Sequence, residues 1–342
     1  MDMKQFIQEM PKAELHLHIE GTVSPKRVLE LADRNGVNIE FKSEKELLDA
    51  QDYGTPPLEN FLKYHYMCSD VLRTGRDIFE ITQDYLEKCV IENTRHVELS
   101  FDPQGHLERG IEFGELIDAL NKARKDSPVS TQLVMCMNRD RTLESALEML
   151  KLAEDYKDDI VGLGLDSVEE GNPPVKFQEY YDRGRELGFK LTAHCDCDQN
   201  NAVEHARQCI HDLGVHRIDH GVHVMDDPQL IEDVKERGIT LTMCPTWRLG
   251  DPGPRRIPAI RKMLEMNVPA CLNTDDPEEF ASRYMSNMLS VVQEQGEFSA
   301  EEMTQFMRNA FVGSWIPDAR RGAYLKELNA HLNTFKYKSD TS

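Results

Sequence analysis

The chain is poor in basic residues, in long apolar runs and in paired cysteines, and each shortage removes a class of function. No apolar stretch approaches the ~18 residues that a membrane-spanning helix needs, in keeping with a mean hydropathy of −0.56. Forty Lys and Arg face 61 Asp and Glu, a formal net charge of −21. So acidic a surface repels a phosphate backbone and argues against polymeric DNA or RNA as a partner. There is no Cys-x-x-Cys pair, so no structural zinc cluster is expected. The eight cysteines of this 342-residue chain mostly sit inside apolar runs, as small buried hydrophobes do, rather than forming a disulfide framework. Residues Met1 to Glu9 carry Asp, Lys and Glu where a signal peptide has its apolar core. The expectation is a cytoplasmic protein that acts on a small molecule at neither a membrane nor a nucleic acid.

What recurs is a short, β-branched apolar run followed by a helical pattern. Expected strands are Ala13–Ile19, His96–Phe101, Thr131–Met137, Ile160–Asp166, Lys190–His194, Arg217–Val222, Thr240–Cys244 and Pro269–Asp275. All are short enough for buried parallel strands. The first helix is well punctuated: Ser24 caps it, Pro25 takes its first position and Gly36 ends it. Helices are also expected over Asp77–Asn93, Phe113–Lys125, Thr142–Asp155, Lys176–Leu187, Asn201–Leu213, Pro228–Arg237 and Ile257–Met266. Residues 38–72 read as a helical insertion after the first strand, and residues 336–342 as a polar, fraying tail. Eight strands alternating with eight helices is the arithmetic of an α/β, (β/α)8 TIM barrel, taken as one domain over 1–342. An open doubly wound sheet is the competing fold, weakened because no Gly-x-Gly-x-x-Gly follows the first strand.

In a barrel the chemistry gathers at the C-terminal ends of the strands. Strand one ends His16-Leu17-His18, strand five at His194, strand six at His220, and strand eight at Thr274-Asp275-Asp276-Pro277. Alternation points His16 and His18 the same way, into the barrel mouth. A lone His-x-His is a weak signal; strand-end histidines on three strands with a strand-end Asp-Asp-Pro are much harder to obtain by chance. Three imidazoles and a carboxylate suit a borderline divalent ion such as zinc. Such an ion lowers the pKa of a bound water toward neutrality. Asp275 would take the water's proton as well as hold the metal, His220 would hold the water or stabilise charge, and Asp276 would reach the substrate. His65 and His106 stay open as pocket members; the remaining histidines read as surface or core.

The runs Glu14-Leu15-His16-Leu17-His18-Ile19-Glu20-Gly21, Ile218-Asp219-His220-Gly221-Val222, Cys244-Pro245 and Asn273-Thr274-Asp275-Asp276-Pro277 resemble the adenosine/adenine deaminase family of metal-dependent hydrolases, from about Pro11 to Leu325. Ser69-Asp70-Val71-Leu72-Arg73-Thr74, Phe101-Asp102-Pro103-Gln104-Gly105-His106 and Gly164-Leu165-Asp166-Ser167 are more similar to its microbial adenine deaminase branch. The resemblance implies one zinc, with iron as the alternative, held by His16, His18, His194 and Asp275. It further implies that His220 positions the attacking oxygen, that Asp276 shares a hydrogen bond with N7 of a purine, and that the backbone from Gly164 to Ser167 faces another edge of the base.

Two loops depart from the family pattern. After strand five the family carries His-Ala-Gly-Glu, whose Glu protonates the ring; here the run is His194-Cys195-Asp196-Cys197-Asp198-Gln199, with Cys197 at the place of the Glu. A thiol of pKa ~8.5 is a poor stand-in for a carboxylic acid, so Asp198, or else Asp196, is expected to supply the proton. A thiolate ligand from Cys195 or Cys197 is a minor alternative. After strand seven, Trp247 is placed to stack on a planar ring and Arg248 to pair with an acidic substrate group. The expected activity is a zinc-dependent aminohydrolase of an aminated purine base or related heterocycle, adenine-deaminase-like, with base recognition altered by these two loops. Competing readings are hydrolysis of a different C–N bond in a non-purine or N-substituted substrate, and a non-catalytic purine-binding relative. The sequence fixes no oligomeric state.

Overall fold

The computed structural model describes residues 2–53, 57–195, 199–245 and 256–340. Parallel strands β1 (Lys12–His18), β2 (Thr94–Phe101), β3 (Ser130–Asn138), β4 (Ile160–Asp166) and β5 (Lys190–Leu191) follow one another in one sheet. In the second, β6 (His194–Cys195), β7 (Arg217–His220), β8 (Thr240–Met243) and β9 (Ala270–Leu272) do the same. β5 and β6 are the two halves of the single strand expected over Lys190–His194. Between them Thr192 N donates to Leu163 O at 2.9 Å, and Asp219 N to Ala193 O at 2.9 Å, so the ladder continues through the break. A bridge between Leu17 and Asp275 joins the first strand to the last. The result is a (β/α)8 barrel, with helices between its strands. All seven residues of β1 are buried, as a barrel strand covered on both faces must be.

Several strands stop short of their expected ends for local reasons. β7 ends at His220 because His220 and Gly221 adopt left-handed φ angles of 62° and 76°. β8 ends at Met243; Pro245, two residues on, has no N–H to continue a ladder. The helix Pro25–Asn35 is punctuated as expected: Ser24 accepts from Arg27 N, and Gly36 turns with φ 64°. The helix expected from Asp77 begins at Gly75, where Thr74 and Asp77 form a capping box.

Within residues 38–72 lie the helices Glu44–Asp49 and Pro57–Ser69. After Pro277 come three helices that the sequence reading left unassigned, Met285–Gly296, Ala300–Gly313 and Asp318–Asp340. The last runs through most of the segment whose polar composition suggests fraying. Its His331 and Phe335 rings pack on Phe6 at centroid distances of 4.8 and 4.7 Å. No helix among the described residues is long and apolar enough to cross a membrane.

Candidate active site

The C-terminal ends of the strands bring four groups together. One ligand atom each from His16, His194, His220 and Asp275 lie within 4.8 Å of one another. His16 Nε2 stands 3.1 Å from Asp275 Oδ1 and His220 Nε2 stands 3.8 Å from Asp275 Oδ2. His18 joins from the side, its Nε2 3.2 Å from His194 Nε2 and 3.7 Å from Asp275 Oδ1. His220 and Asp275 both hold left-handed backbone angles, φ 62° and 68°. For non-glycine residues this conformation costs on the order of 1–3 kcal/mol, a cost found where side chains must be aimed. It turns both side chains into the mouth at the point where their strands end.

The donor set fits a borderline divalent ion. Burial pulls the His18 imidazole below its usual range, and burial with the nearby His16 pulls His194 well below it. Both rings are therefore neutral near pH 7, so each carries a lone pair on one ring nitrogen. Two Nε2 atoms 3.2 Å apart need a shared proton or a cation between them. His16 Nε2 and His194 Nδ1 are buried with no hydrogen-bond partner among the described residues. Behind the rings, Thr242 Oγ1 donates to Asp219 Oδ1 at 2.8 Å and lies 3.1 Å from His16 Nδ1. With its hydrogen so committed, Thr242 accepts from His16 Nδ1–H, which leaves the His16 Nε2 lone pair facing the cluster. Asp219 also lies 3.5 Å from His194 Nδ1. Its carboxyl is held well below the usual range, because His16, His194 and Arg217 outweigh its burial.

Beside this cluster opens a cavity of about 600 Å³, lined in part by Glu20, His65, Tyr66, Asp102 and Asn138. Asn138 Nδ2 donates to Asp102 Oδ2 at 2.8 Å and to Asp166 Oδ1 at 3.2 Å. Asp166 Oδ2 faces His18 Nδ1 at 3.7 Å. Burial pushes the Asp166 carboxyl well up, and the neighbouring Asp102 carboxylate pushes it further. Burial also pushes Glu20 up, but His106 and the Asp102 backbone N–H outweigh it and hold that carboxyl at about 2. Asp276 is pushed well up by burial and by the adjacent Asp275 charge, which favours its protonated form. Only glycine fits at position 21, since a Cβ there would meet Asp276 Oδ1 at 2.0 Å.

Of the residues singled out in the sequence, His16, His18, His194, His220, Asp275 and Asp276 converge here. Ser167 lies just past β4 with φ 71°, its Oγ 2.8 Å from Tyr66 Oη. Gly164 sits inside β4, paired with Cys136, so that a Cβ would meet Cys136 Sγ at 2.3 Å. His65 lines the cavity and His106 stands behind Glu20. Cys195 turns its Sγ to Cys209 Sγ at 3.4 Å, a contact that with burial pushes its thiol well up, away from a thiolate ligand. Asp196, Cys197, Asp198, Trp247 and Arg248 lie outside the described residues. The sequence reading overlooked Glu20, Asp102, Asn138, Asp166, Asp219 and Thr242. Asp166 closes a strand and Asp102 follows one, so the strand-end rule that found the histidines, applied to carboxylates, would have found both.

Known proteins are similar to this chain over nearly its whole length. The adenosine deaminase family profile matches residues 11–331. An uncharacterized deaminase of Schizosaccharomyces pombe is 38% identical over 98% of this chain and 99% of its own length. An adenine deaminase of Streptomyces coelicolor is 37% identical over 95% of this chain and 96% of its own. Among solved structures, an adenine deaminase of Arthrobacter aurescens superposes with a TM-score of 0.85 at 31% identity, covering 95% of this chain and 99% of that one. An amidohydrolase of Burkholderia ambifaria, solved with bound zinc, gives 0.88 at 25% identity, covering 99% of this chain and 95% of that one. The chain therefore belongs to the adenosine deaminase family of metal-dependent (β/α)8-barrel hydrolases, and is an adenine-deaminase-like aminohydrolase.

Proposed function

We propose that this protein hydrolyses the exocyclic C–N bond of a free 6-aminopurine base, adenine in the simplest case, with one zinc ion held by His16, His18, His194 and Asp275. The observation that carries the reading is the convergence of His16, His194, His220 and Asp275 within 4.8 Å beside a cavity of about 600 Å³. That volume falls in the range of small-molecule sites. Bound there, zinc would acidify a water molecule and supply a nucleophile at neutral pH. The remaining work falls to side chains. Asp275 takes the water's proton, and His220 holds the attacking oxygen against the ring carbon and stabilises the charge that develops on it. Asp276 donates to the ring nitrogen on its side of the base. Asp198, with Asp196 next in line, protonates the ring nitrogen adjacent to the attacked carbon. Trp247 is the residue we assign to stack on the ring, and Arg248 the one that would pair with an acidic group where the substrate carries one. In the balance, water and the amine give a ring carbonyl and ammonia: one C–O bond forms and one C–N bond breaks.

Cys197 at the place of the family's Glu favours one second reading, an amino group that carries a substituent, released as an amine from the same site. Both readings are tested by measuring amine and ammonia release, with zinc present, across aminopurines, N6-substituted adenines, nucleosides and pyrimidines. Release from 6-aminopurine bases is expected. Turnover confined to pyrimidines, or none, overturns the proposal.

A further inference from the structure

β4 parts early from the strand made of β5 and β6. Their register pairs Gly162 with Lys190 and Leu163 with Leu191, and the last ladder bond between them runs from Thr192 N to Leu163 O at 2.9 Å. On its other edge the strand stays paired with β7: Asp219 N donates to Ala193 O at 2.9 Å and Gly221 N to Cys195 O at 3.1 Å. Carbonyls alternate in direction along a strand, so Thr192 O and His194 O face the gap that β4 leaves. Buried carbonyls need donors, and here side chains supply them. Tyr181 Oη, from the helix Gln178–Glu186, donates to Thr192 O at 2.6 Å. Arg139 Nη1 donates to His194 O at 2.9 Å.

Arg139 is completely buried and fixed at both ends. Its N donates to Asp166 O at 3.0 Å, one residue beyond the paired end of β3 and β4, and its O accepts from Lys176 Nζ at 2.8 Å. At the far end Nε donates to Asn172 O at 2.9 Å. The guanidinium therefore has little freedom to leave the His194 carbonyl, and a charged donor makes a stronger bond there than a strand N–H would. We infer that Arg139 is a positioning residue of the metal centre: it stands in for the missing strand, holds the His194 backbone and so sets how far the His194 ring reaches into the ligand cluster. The inference rests on the reading of His194 as a zinc ligand and deepens it. That ring stands 3.2 Å from His18 Nε2 and 3.5 Å from Asp219 Oδ2. Such constellations work only when held to within about 0.5 Å, and β7 alone holds the strand from one side.

Three variants test this. In Arg139→Gln the side-chain nitrogen takes the place of Nε, so the bond to Asn172 O is kept and the bond to His194 O is lost. Arg139→Lys keeps the charge but ends one bond short of Nη1. Tyr181→Phe removes the other stand-in donor, two residues from the ligand. Zinc affinity, by competition with a chromogenic chelator, is expected to fall at least ~10-fold in Arg139→Gln, the scale of a lost contact behind a metal ligand. Arg139→Lys should fall between it and the wild type. Tyr181→Phe should lower Tm and leave zinc affinity unchanged. A second readout needs no metal. In zinc-free protein labelled with ¹⁵N-histidine, the His194 ring signals, identified by their loss in His194→Gln, should shift in Arg139→Gln and stay in place in Tyr181→Phe. Unchanged zinc affinity in whichever Arg139 variants fold, or an equal loss in Tyr181→Phe, overturns the inference. If the wild type binds no zinc, the metal reading fails and the ring signals decide alone: a shift confined to the Arg139 variants upholds the role of Arg139, and any other pattern overturns it.

Discussion

His16 and Asp275 are joined twice. Their side chains meet at 3.1 Å between Nε2 and Oδ1, and Asp275 N donates to His16 O at 3.2 Å across the seam between the first and last strands. The same two residues therefore close the barrel and anchor the histidine–aspartate cluster. Thr274, next to Asp275, is tied to that seam as well: its N donates to buried Glu14 Oε1 at 2.9 Å, and Glu14 Oε2 accepts from Tyr85 Oη at 2.6 Å.

A metal that binds across the seam should stabilise the whole barrel. A ligand present at 1,000 times its Kd adds about 4 kcal/mol to a fold that alone binds it. Chelation is expected to lower Tm by several degrees. His16→Ala, His194→Ala or Asp275→Ala should abolish both activity and the response of Tm to added zinc. Near-stoichiometric zinc with full turnover in any of the three would falsify the ligand assignment. His106→Ala, which lies behind Glu20, should leave zinc in place.

Thr242 supports that cluster at one remove. Its hydroxyl orients His16 and holds Asp219, so Thr242→Val removes a hydrogen-bond link of nearly constant shape. Loss of such a supporting contact typically weakens metal affinity or activity by about 10–100-fold. The measurement is zinc affinity by competition with a chromogenic chelator. Thr242→Ser should restore most of the loss, and a Val variant with unchanged affinity would remove Thr242 from the support.

The sequence made the cluster of His16, His18, His194, His220 and Asp275 legible because two simple regularities place it: side chains alternate along a strand, and barrel chemistry lies at strand ends. The wall of Glu20, Asp102, Asn138 and Asp166 was harder to see, because a buried carboxylate declares itself only when its partners, distant in sequence, are known. The split between β5 and β6 has no marker, since Thr192 and Ala193 carry no glycine or proline to announce it. The helices after Pro277 did carry signals. Ser299 and Glu302 form a capping box, and Met303, Phe306, Met307 and Ala310 recur at helical spacing.

His65 gives the protein a pH dependence of stability with a definite sign. Its Nδ1 lies 3.1 Å from Glu279 Oε2. Burial pulls the imidazole down, but Glu279 more than reverses this and holds it at about 9. The unfolded value is ~6.5. The folded state thus binds this proton more tightly. The stabilisation is complete below pH ~6.5 and is lost as pH rises through 9, on the order of 3 kcal/mol in all. Urea midpoints at pH 6 and pH 9.5 should differ in the wild type, and His65→Gln should narrow the difference. An unchanged difference would show that another group carries the slope.

The strand-five loop poses the sharpest question for the chemistry, since ring protonation needs an acid and Cys197 is a poor one. If Asp198 supplies the proton, Asp198→Asn should reduce kcat by about 10²–10⁴, the usual contribution of general acid–base catalysis, with zinc content unchanged. Undiminished kcat would move the role to Asp196 and require the same pair of measurements there. The reciprocal variant, Cys197→Glu, restores a carboxyl at the family position. It should raise adenine turnover if the acid is what limits the wild type, and rescue Asp198→Asn if the two positions can serve the same ring nitrogen. An adenine kcat/KM already at about 10⁵ M⁻¹s⁻¹ in the wild type, well inside the ordinary enzyme range, would show instead that the Asp-rich loop holds an acid as competent as Glu.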